Sequence, residues 1–211
     1  MTAQTEGKKA ATLYYFHDPM CSWCWGYRPT WEKVESALCD DVVIEYCLGG
    51  LAPDSDTPMP ADMALAIQSY WRKINSQLGT PFNFDFWHKC TPRRSTYPAC
   101  RAVLAAKAQL QEREMIFALQ QAYYLRALNP SDTSTHCQLA TEIGLDPEKF
   151  ASDLLSDEIN NQLLAQIALS RKWQVPGFPS LVLLSCEQLI HIPVNYLAAD
   201  ETIDLIRKNL T

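Results

Sequence analysis

A chain of 211 residues with 47% hydrophobic and 20% charged side chains is composed like a globular protein, long enough to bury its own core and unlike a disordered segment. Its formal charge of −6 comes without a dense run of Lys or Arg, which argues against nucleic acid or an anionic membrane as the main partner. Residues 1–10 are polar and lack the apolar stretch of a secretory signal, and the longest aliphatic run, residues 181–184, falls far short of a membrane span, so a cytoplasmic protein is expected.

Residues 12–16 are rich in β-formers and predict a short buried strand, followed by the loop His17-Asp18-Pro19-Met20. From Cys24 onward, Tyr27, Trp31, Val34 and Leu38 recur at helical spacing, so a helix is expected up to about Cys39, with Pro29 kinking it. Residues 42–48 form a nearly continuous apolar run, as a strand covered on both faces would. The chain thus opens as strand, Cys-x-x-Cys, helix, strand. After a Gly/Pro-rich loop over 49–60 the period turns helical and stays so for over a hundred residues. Helices are predicted around 63–78, from near Pro98 to about Ala108, over 115–128, and over 133–143. Two more are predicted over 147–155, with Asp146 as N-cap, and over 157–173. A Pro/Gly turn at 174–179, a strand at 180–185, its hairpin partner at 187–194 and an amphipathic helix at 200–210 complete the pattern. The expected architecture is α/β. A βαβ part over 12–55 and a ββα part over 174–211 are separated by a helical insertion over 56–173.

Of eight cysteines, only Cys21 and Cys24 share a motif spacing, as Cys-Ser-Trp-Cys. The scattered six (Cys39, Cys47, Cys90, Cys100, Cys137, Cys186) read as small hydrophobes in a reducing compartment. Two thiols separated by two residues at a helix start can close a small disulfide ring with little backbone movement, a reversible two-electron couple. Cys21, beside the unsatisfied N–H groups of the helix start, is the candidate nucleophile. The helix dipole supplies only about 0.3–1 kcal/mol, against about 1.4 kcal/mol for one pKa unit. A larger shift therefore needs direct hydrogen bonds from the amides of Trp23 and Cys24 and from the Cys24 thiol. Cys24, one turn further in, is the candidate resolving thiol. Oxidation, reduction and isomerisation all follow from this pair, and the sequence does not choose among them. Half of a structural zinc site is the competing reading, but it needs a second ligand pair, and His136-Cys137 are adjacent and chelate poorly together.

The segment Tyr14-Tyr15-Phe16-His17-Asp18-Pro19-Met20-Cys21-Ser22-Trp23-Cys24-Trp25-Gly26 resembles the active-site opening of the DsbA-like branch of the thioredoxin superfamily. It is most similar to that branch's cytoplasmic, protein-disulfide-isomerase-like members, and more distantly to FrnE-type proteins. Val175-Pro176-Gly177-Phe178-Pro179 resembles the family's cis-proline loop. The resemblance implies a thioredoxin fold with its large all-helical insertion, a cis Pro179 beside Cys21, and Phe178 presenting its main chain to an extended substrate. It further implies protein or peptide thiols and disulfides as substrates; Trp23, between the two cysteines at a helix tip, is the aromatic residue expected to be exposed for substrate binding. The redox-active disulfide is the only expected cofactor, and glutathione is a candidate reductant. Two departures matter. Ser22 and Trp23 bring no charge between the cysteines, so a less acidic Cys21 and a weaker oxidant are expected than in the periplasmic relative with His there. The acidic residue often found six positions before the first Cys is Tyr15 here, which leaves His17, Asp18 and Glu45 as candidate proton carriers. Glu45 stands out because it interrupts the apolar strand.

Trp25 and the cluster Phe82, Phe84, Phe86 and Trp87 read as core between the two lobes, with a peptide groove as the alternative. The main rival function is glutathione-dependent transfer or isomerisation, as in kappa-class transferases and 2-hydroxychromene-2-carboxylate isomerases. Those enzymes generally carry Ser where Cys21 stands and lack the second Cys. A non-enzymatic peptide- or Fe–S-binding module on the same fold is the other rival. Cys90 and Cys100 are considered as a secondary redox pair.

Overall fold

The computed structural model describes residues 11–210, and the sequence reading of residues 1–10 lies outside them. The strand β1 (Thr12–His17) runs through the middle of a four-stranded sheet. It pairs in parallel with β2 (Val43–Leu48) on one side and antiparallel with β3 (Ser180–Ser185) on the other; β3 pairs antiparallel with β4 (Gln188–Ile192). The sheet order is β2-β1-β3-β4. Between β1 and β2 lies α1 (Ser22–Leu38), continuous through Pro29, and α9 (Ala199–Lys208) closes the described chain. This is the α/β architecture the sequence implies.

Alternation along β1 sends Leu13 and Tyr15 into the main core and Phe16 into a smaller cluster with Cys47 and Val182 on the other face. The helices that follow β2 are α2 (Ala61–Leu78), α3 (Phe86–Lys89), α4 (Tyr97–Lys107), α5 (Glu112–Tyr124), α6 (Thr133–Glu142), α7 (Pro147–Leu154) and α8 (Asp157–Lys172). The main core runs from the strands into α4 to α8, whereas Trp71 of α2 and Phe86 of α3 lie in a separate aromatic cluster. The punctuation of the helices follows from the sequence. Gly79 takes a left-handed φ of 70° at the end of α2, and Asp146 caps α7 by accepting from the amides of Glu148 and Lys149.

Four expectations are corrected. The strand over 42–48 is not covered on both faces along its length: β2 is an edge strand, Val43 is 45% exposed and Ile44 and Glu45 are only partly buried, while Tyr46 is buried against Tyr15 and Trp31, and Cys47 and Leu48 where Gln166 of α8 reaches them. The helix expected over 115–128 stops at Tyr124, because Ala127 adopts a positive φ of 52° and the amides of Arg126 and Leu128 turn back to Gln121 and Ala122. The short α3 was not expected. Of the six scattered cysteines, Cys47 and Cys100 are buried, whereas Cys39 and Cys186 are exposed. The aromatic cluster does pack as core, with Trp25, Trp71, Phe86 and Tyr124 buried at its centre and Phe82, Phe84 and Trp87 around them. No helix among the described residues is long and apolar enough to cross a membrane.

Candidate active site

The turn after β1 places the first cysteine. Asp18 accepts from the amide of Met20 through Oδ1 (2.8 Å), and its carbonyl accepts from the amide of Cys21 (3.0 Å), a self-closing Asx-type turn that ends where α1 begins. Cys21 is the N-cap residue of α1 in an extended conformation (φ −82°, ψ 114°), so its side chain stands at the helix mouth. The thiol donates to the carbonyl oxygen of Phe178 (3.3 Å), the residue joined to Pro179 by a cis peptide bond. Loops 170 residues and more from the chain start thus meet the cysteine turn, because β1 and β3 are neighbours with Phe16 opposite Ser180.

Cys21 lies on a cavity of about 230 Å³ whose walls include Trp23, Ile67, Arg94, Tyr123 and Phe178. Cys24 has no exposed surface. Burial pushes its thiol well above the usual range; the hydrogen bond with Cys21 adds to this, and a hydrogen bond from the Asp18 main chain opposes it. The two sulfurs are therefore unlike: one borders a cavity, the other is sealed behind it. Trp23 is half-buried, edge-on to Tyr196 (5.3 Å between centroids).

The three candidate proton carriers fall in different places. Asp18 is fully buried, and its Oδ2 accepts from the amide of Leu51 (2.8 Å), the hydroxyl of Thr96 (2.7 Å) and the thiol of Cys100 (3.7 Å). Burial raises its pKa, and these donors oppose the rise. The carboxylate therefore ties the cysteine turn to the loop after β2 and to the start of α4. His17 is also fully buried, stacked on Tyr15 (5.1 Å), and among the described residues neither ring nitrogen has a partner. Burial, helped by Lys107, lowers its pKa to about 3, so the ring is neutral at physiological pH. Glu45 is not buried as its place in an apolar run suggests. It lies on the exposed half of β2, opposite Tyr14, with its side chain 47% exposed and facing Lys107 (3.7 Å). Tyr15 fills the usual acid position as a neutral group: burial drives its pKa well up, and the nearby Cys24 adds to the rise. Cys90 and Cys100 donate to different acceptors, the Ala127 carbonyl (3.1 Å) and Asp18, and are both free thiols.

Sequence reasoning missed Thr96, Leu51 and Cys100 as partners of Asp18, and Arg94 and Tyr123 as cavity walls. No local signal marks them, since each is brought in by tertiary packing. It also missed Gly49, which touches the Phe178 ring so closely that a Cβ there would lie 1.8 Å from the ring.

This arrangement defines a class. A family model described as thioredoxin matches residues 14–195, and the chain belongs to that family, with the DsbA-like form of its fold. Among solved structures it is similar to a candidate protein disulfide isomerase from Nitrosomonas europaea: 26% identity, TM-score 0.82, covering 95% of this chain and 97% of that one. It shares its fold with the cytosolic disulfide reductase DsbM of Pseudomonas aeruginosa: 22% identity, TM-score 0.75, covering 94% and 98% of the two chains. That reductase has also been solved with glutathione. Among curated proteins it is 26% identical to the ClpXP adapter protein SpxH of Bacillus subtilis over 85% of this chain. The chain spans 60% of that relative's length.

Proposed function

We propose that Cys21 and Cys24 are the working dithiol of a cytoplasmic oxidoreductase acting on protein or peptide disulfides, with glutathione as the recycling reductant and no cofactor beyond the dithiol itself. The observation that carries this reading is the asymmetry of the pair: a helix-capping Cys21 at 3.3 Å from the Phe178 carbonyl on an open cavity, with Cys24 sealed behind it.

The chemistry follows from that asymmetry. The Cys21 thiolate attacks one sulfur of a substrate disulfide; a mixed disulfide forms, the substrate S–S bond breaks, and the departing thiolate takes a proton from water. Cys24 then loses its proton and attacks the Cys21 sulfur, releasing the second substrate thiol. Two electrons have passed to the substrate and the enzyme holds the Cys21–Cys24 disulfide. Attack without resolution isomerises, and the reverse sequence oxidises. The proton of Cys24 needs an acceptor because burial holds the thiol neutral. Asp18 is assigned that role: it is buried, its main chain bonds the Cys24 sulfur, and its own pKa is raised toward the thiol's. His17, with a pKa of about 3, and Glu45, on the exposed half of β2, are poorly suited to it. Phe178 and Pro179 present a main-chain edge for an extended peptide, and Trp23 an apolar wall.

The test is equilibration in graded glutathione buffers, followed by alkylation and mass analysis of Cys21 and Cys24. A single reversible two-electron transition of this pair is expected, abolished in Cys21→Ser and converted to a trapped glutathione adduct on Cys21 in Cys24→Ser. Both thiols staying alkylated at every poise would overturn the reading. It would leave an adapter role, as in the name of the SpxH relative, as the alternative.

A further inference from the structure

The cavity beside Cys21 carries an electrostatic feature that disulfide exchange does not require. The chain is acidic, yet among the described residues no Asp or Glu lines this cavity, while two arginines do. Arg93 is held in place by Asp132 and the Ser131 carbonyl (2.9 Å). Arg94 is exposed, and among the described residues it makes no hydrogen bond or ion pair. Its charge is felt by Tyr123, which also lines the cavity. The cavity lining also includes Ile67 and Tyr70 of α2, a helix buried chiefly at Trp71 and Ile74. The reacting sulfur therefore shares a small, largely apolar cavity with one guanidinium that has no partner among the described residues.

We infer that Arg94 is a specificity-determining residue that selects disulfides carrying a carboxylate close to the sulfur. The inference rests on the dithiol reading above and extends it to a substrate class. A guanidinium offers a planar fork of donors that matches a carboxylate, and such charge-assisted bonds are stronger where water is partly excluded. The sign of the effect is diagnostic. A thiolate nucleophile on a chain of net charge −6 repels anionic disulfides and attracts cationic ones. A preference for anions must come from a local cation.

The experiment uses three small symmetric disulfides: cystamine (cationic), bis(2-hydroxyethyl) disulfide (neutral) and 3,3′-dithiodipropionate (anionic). Their rates of attack by the reduced protein are compared between wild type and Arg94→Gln. Because leaving thiols differ in pKa, the wild-type-to-variant ratio for each compound is the readout, not the raw rate. The expected ratio is about 10 for the anion, equivalent to about 1.4 kcal/mol. It is about 1 for the neutral compound and below 1 for the cation, with the anion's advantage shrinking in high salt. Equal ratios for all three, or a ratio near 1 for the anion, would overturn the inference while leaving the dithiol reading intact. No reaction of wild type with any of them would overturn both. A second arm, oxidised glutathione against a disulfide-bonded peptide flanked by Glu residues, identifies the source of the carboxylate by which one slows in Arg94→Gln. No slowing of either would again refute the role of Arg94. Unchanged thermal unfolding of the variant, expected because Arg94 makes no bonds, separates selectivity from misfolding.

Discussion

Gly49→Ala tests whether the cis-proline loop is held against the sheet by the Phe178 ring. Gly49 follows β2 directly, its amide bonds the His17 carbonyl (2.7 Å), and a Cβ built on it would meet the ring at 1.8, 2.2 and 2.3 Å. Contacts that close are impossible, so the ring must leave its place beside Phe16, Cys47 and Val182. Overpacking of this kind costs roughly 1–3 kcal/mol, and part of the apolar area of a Phe ring is lost as well. A net destabilisation of about 2 kcal/mol is expected, which in a chain of this size lowers Tm by about 4–8 °C. Phe178 also supplies the carbonyl that receives the Cys21 thiol and part of the cavity wall, so the rate of Cys21 attack on a disulfide should change with it. The decisive comparison is a double-mutant cycle by urea unfolding. In a Phe178→Ala background the three closest contacts of the added methyl are gone, and Gly49→Ala should cost less than about 0.5 kcal/mol. A full cost of Gly49→Ala in both backgrounds would refute the argument, since the glycine would then be needed for some reason other than the ring.

Three other substitutions have outcomes fixed by the geometry. Asp18→Asn puts a donor where Leu51, Thr96 and Cys100 need an acceptor, and should cost about 2 kcal/mol. Burial raises the Asp18 pKa, so the folded state holds this proton more tightly than the unfolded chain does. Its contribution to stability is complete below the ordinary Asp value of about 3.9 and fades as pH rises through the raised one. The gap between wild type and variant in urea unfolding should therefore narrow with rising pH over that window, and a widening gap would contradict the assignment. Asp146→Ala removes the acceptor for two amides at the start of α7 and should cost about 1 kcal/mol by the same measurement, with Asp146→Asn largely sparing it. Cys186→Asn should stabilise by about 0.5 kcal/mol. Cys186 (φ 48°) and Glu187 (φ 65°) form a two-residue hairpin turn with both residues in the left-handed region, which Asn adopts more readily than Cys.

The fold was legible where local chemistry and tertiary structure agree. The apolar run of 180–185 is the strand β3, the spacing of Tyr27, Trp31, Val34 and Leu38 is the buried face of α1, and Gly79 ends α2 where expected. It was not legible where packing overrides pattern. The apolar residues Leu125 and Leu128 continue the helical period of α5 after its backbone has already turned, because a period marks which side chains are buried and not where the hydrogen bonds stop. Residues 186 and 187 carry none of the Gly or Asn that usually announces a tight hairpin, so the turn is imposed by the pairing of β3 with β4.

At the site, the same division has a functional meaning. Cys21 and Cys24 could be read from the chain because they form a short motif whose geometry is local, and the 175–179 loop through its resemblance to a cis-proline loop. Glu45 misled because an acidic residue in an apolar run signals burial only in a central strand, and β2 is an edge. What could not be read is how the dithiol is joined to the helices: the partners of Asp18 lie 33, 78 and 82 residues away, at Leu51, Thr96 and Cys100. Those bonds seat the start of α4 against the cysteine turn, and Arg93 and Arg94, just before it, are thereby carried to the cavity rim. The strand-and-turn half supplies the reactive sulfur and the cis-proline edge, while the residues between β2 and β3 supply Ile67, Tyr70, Arg94 and Tyr123 around them. Sequence change among those helices can therefore alter which disulfide is accepted without touching the atoms that exchange electrons, and Arg94 is the position where that separation can be measured.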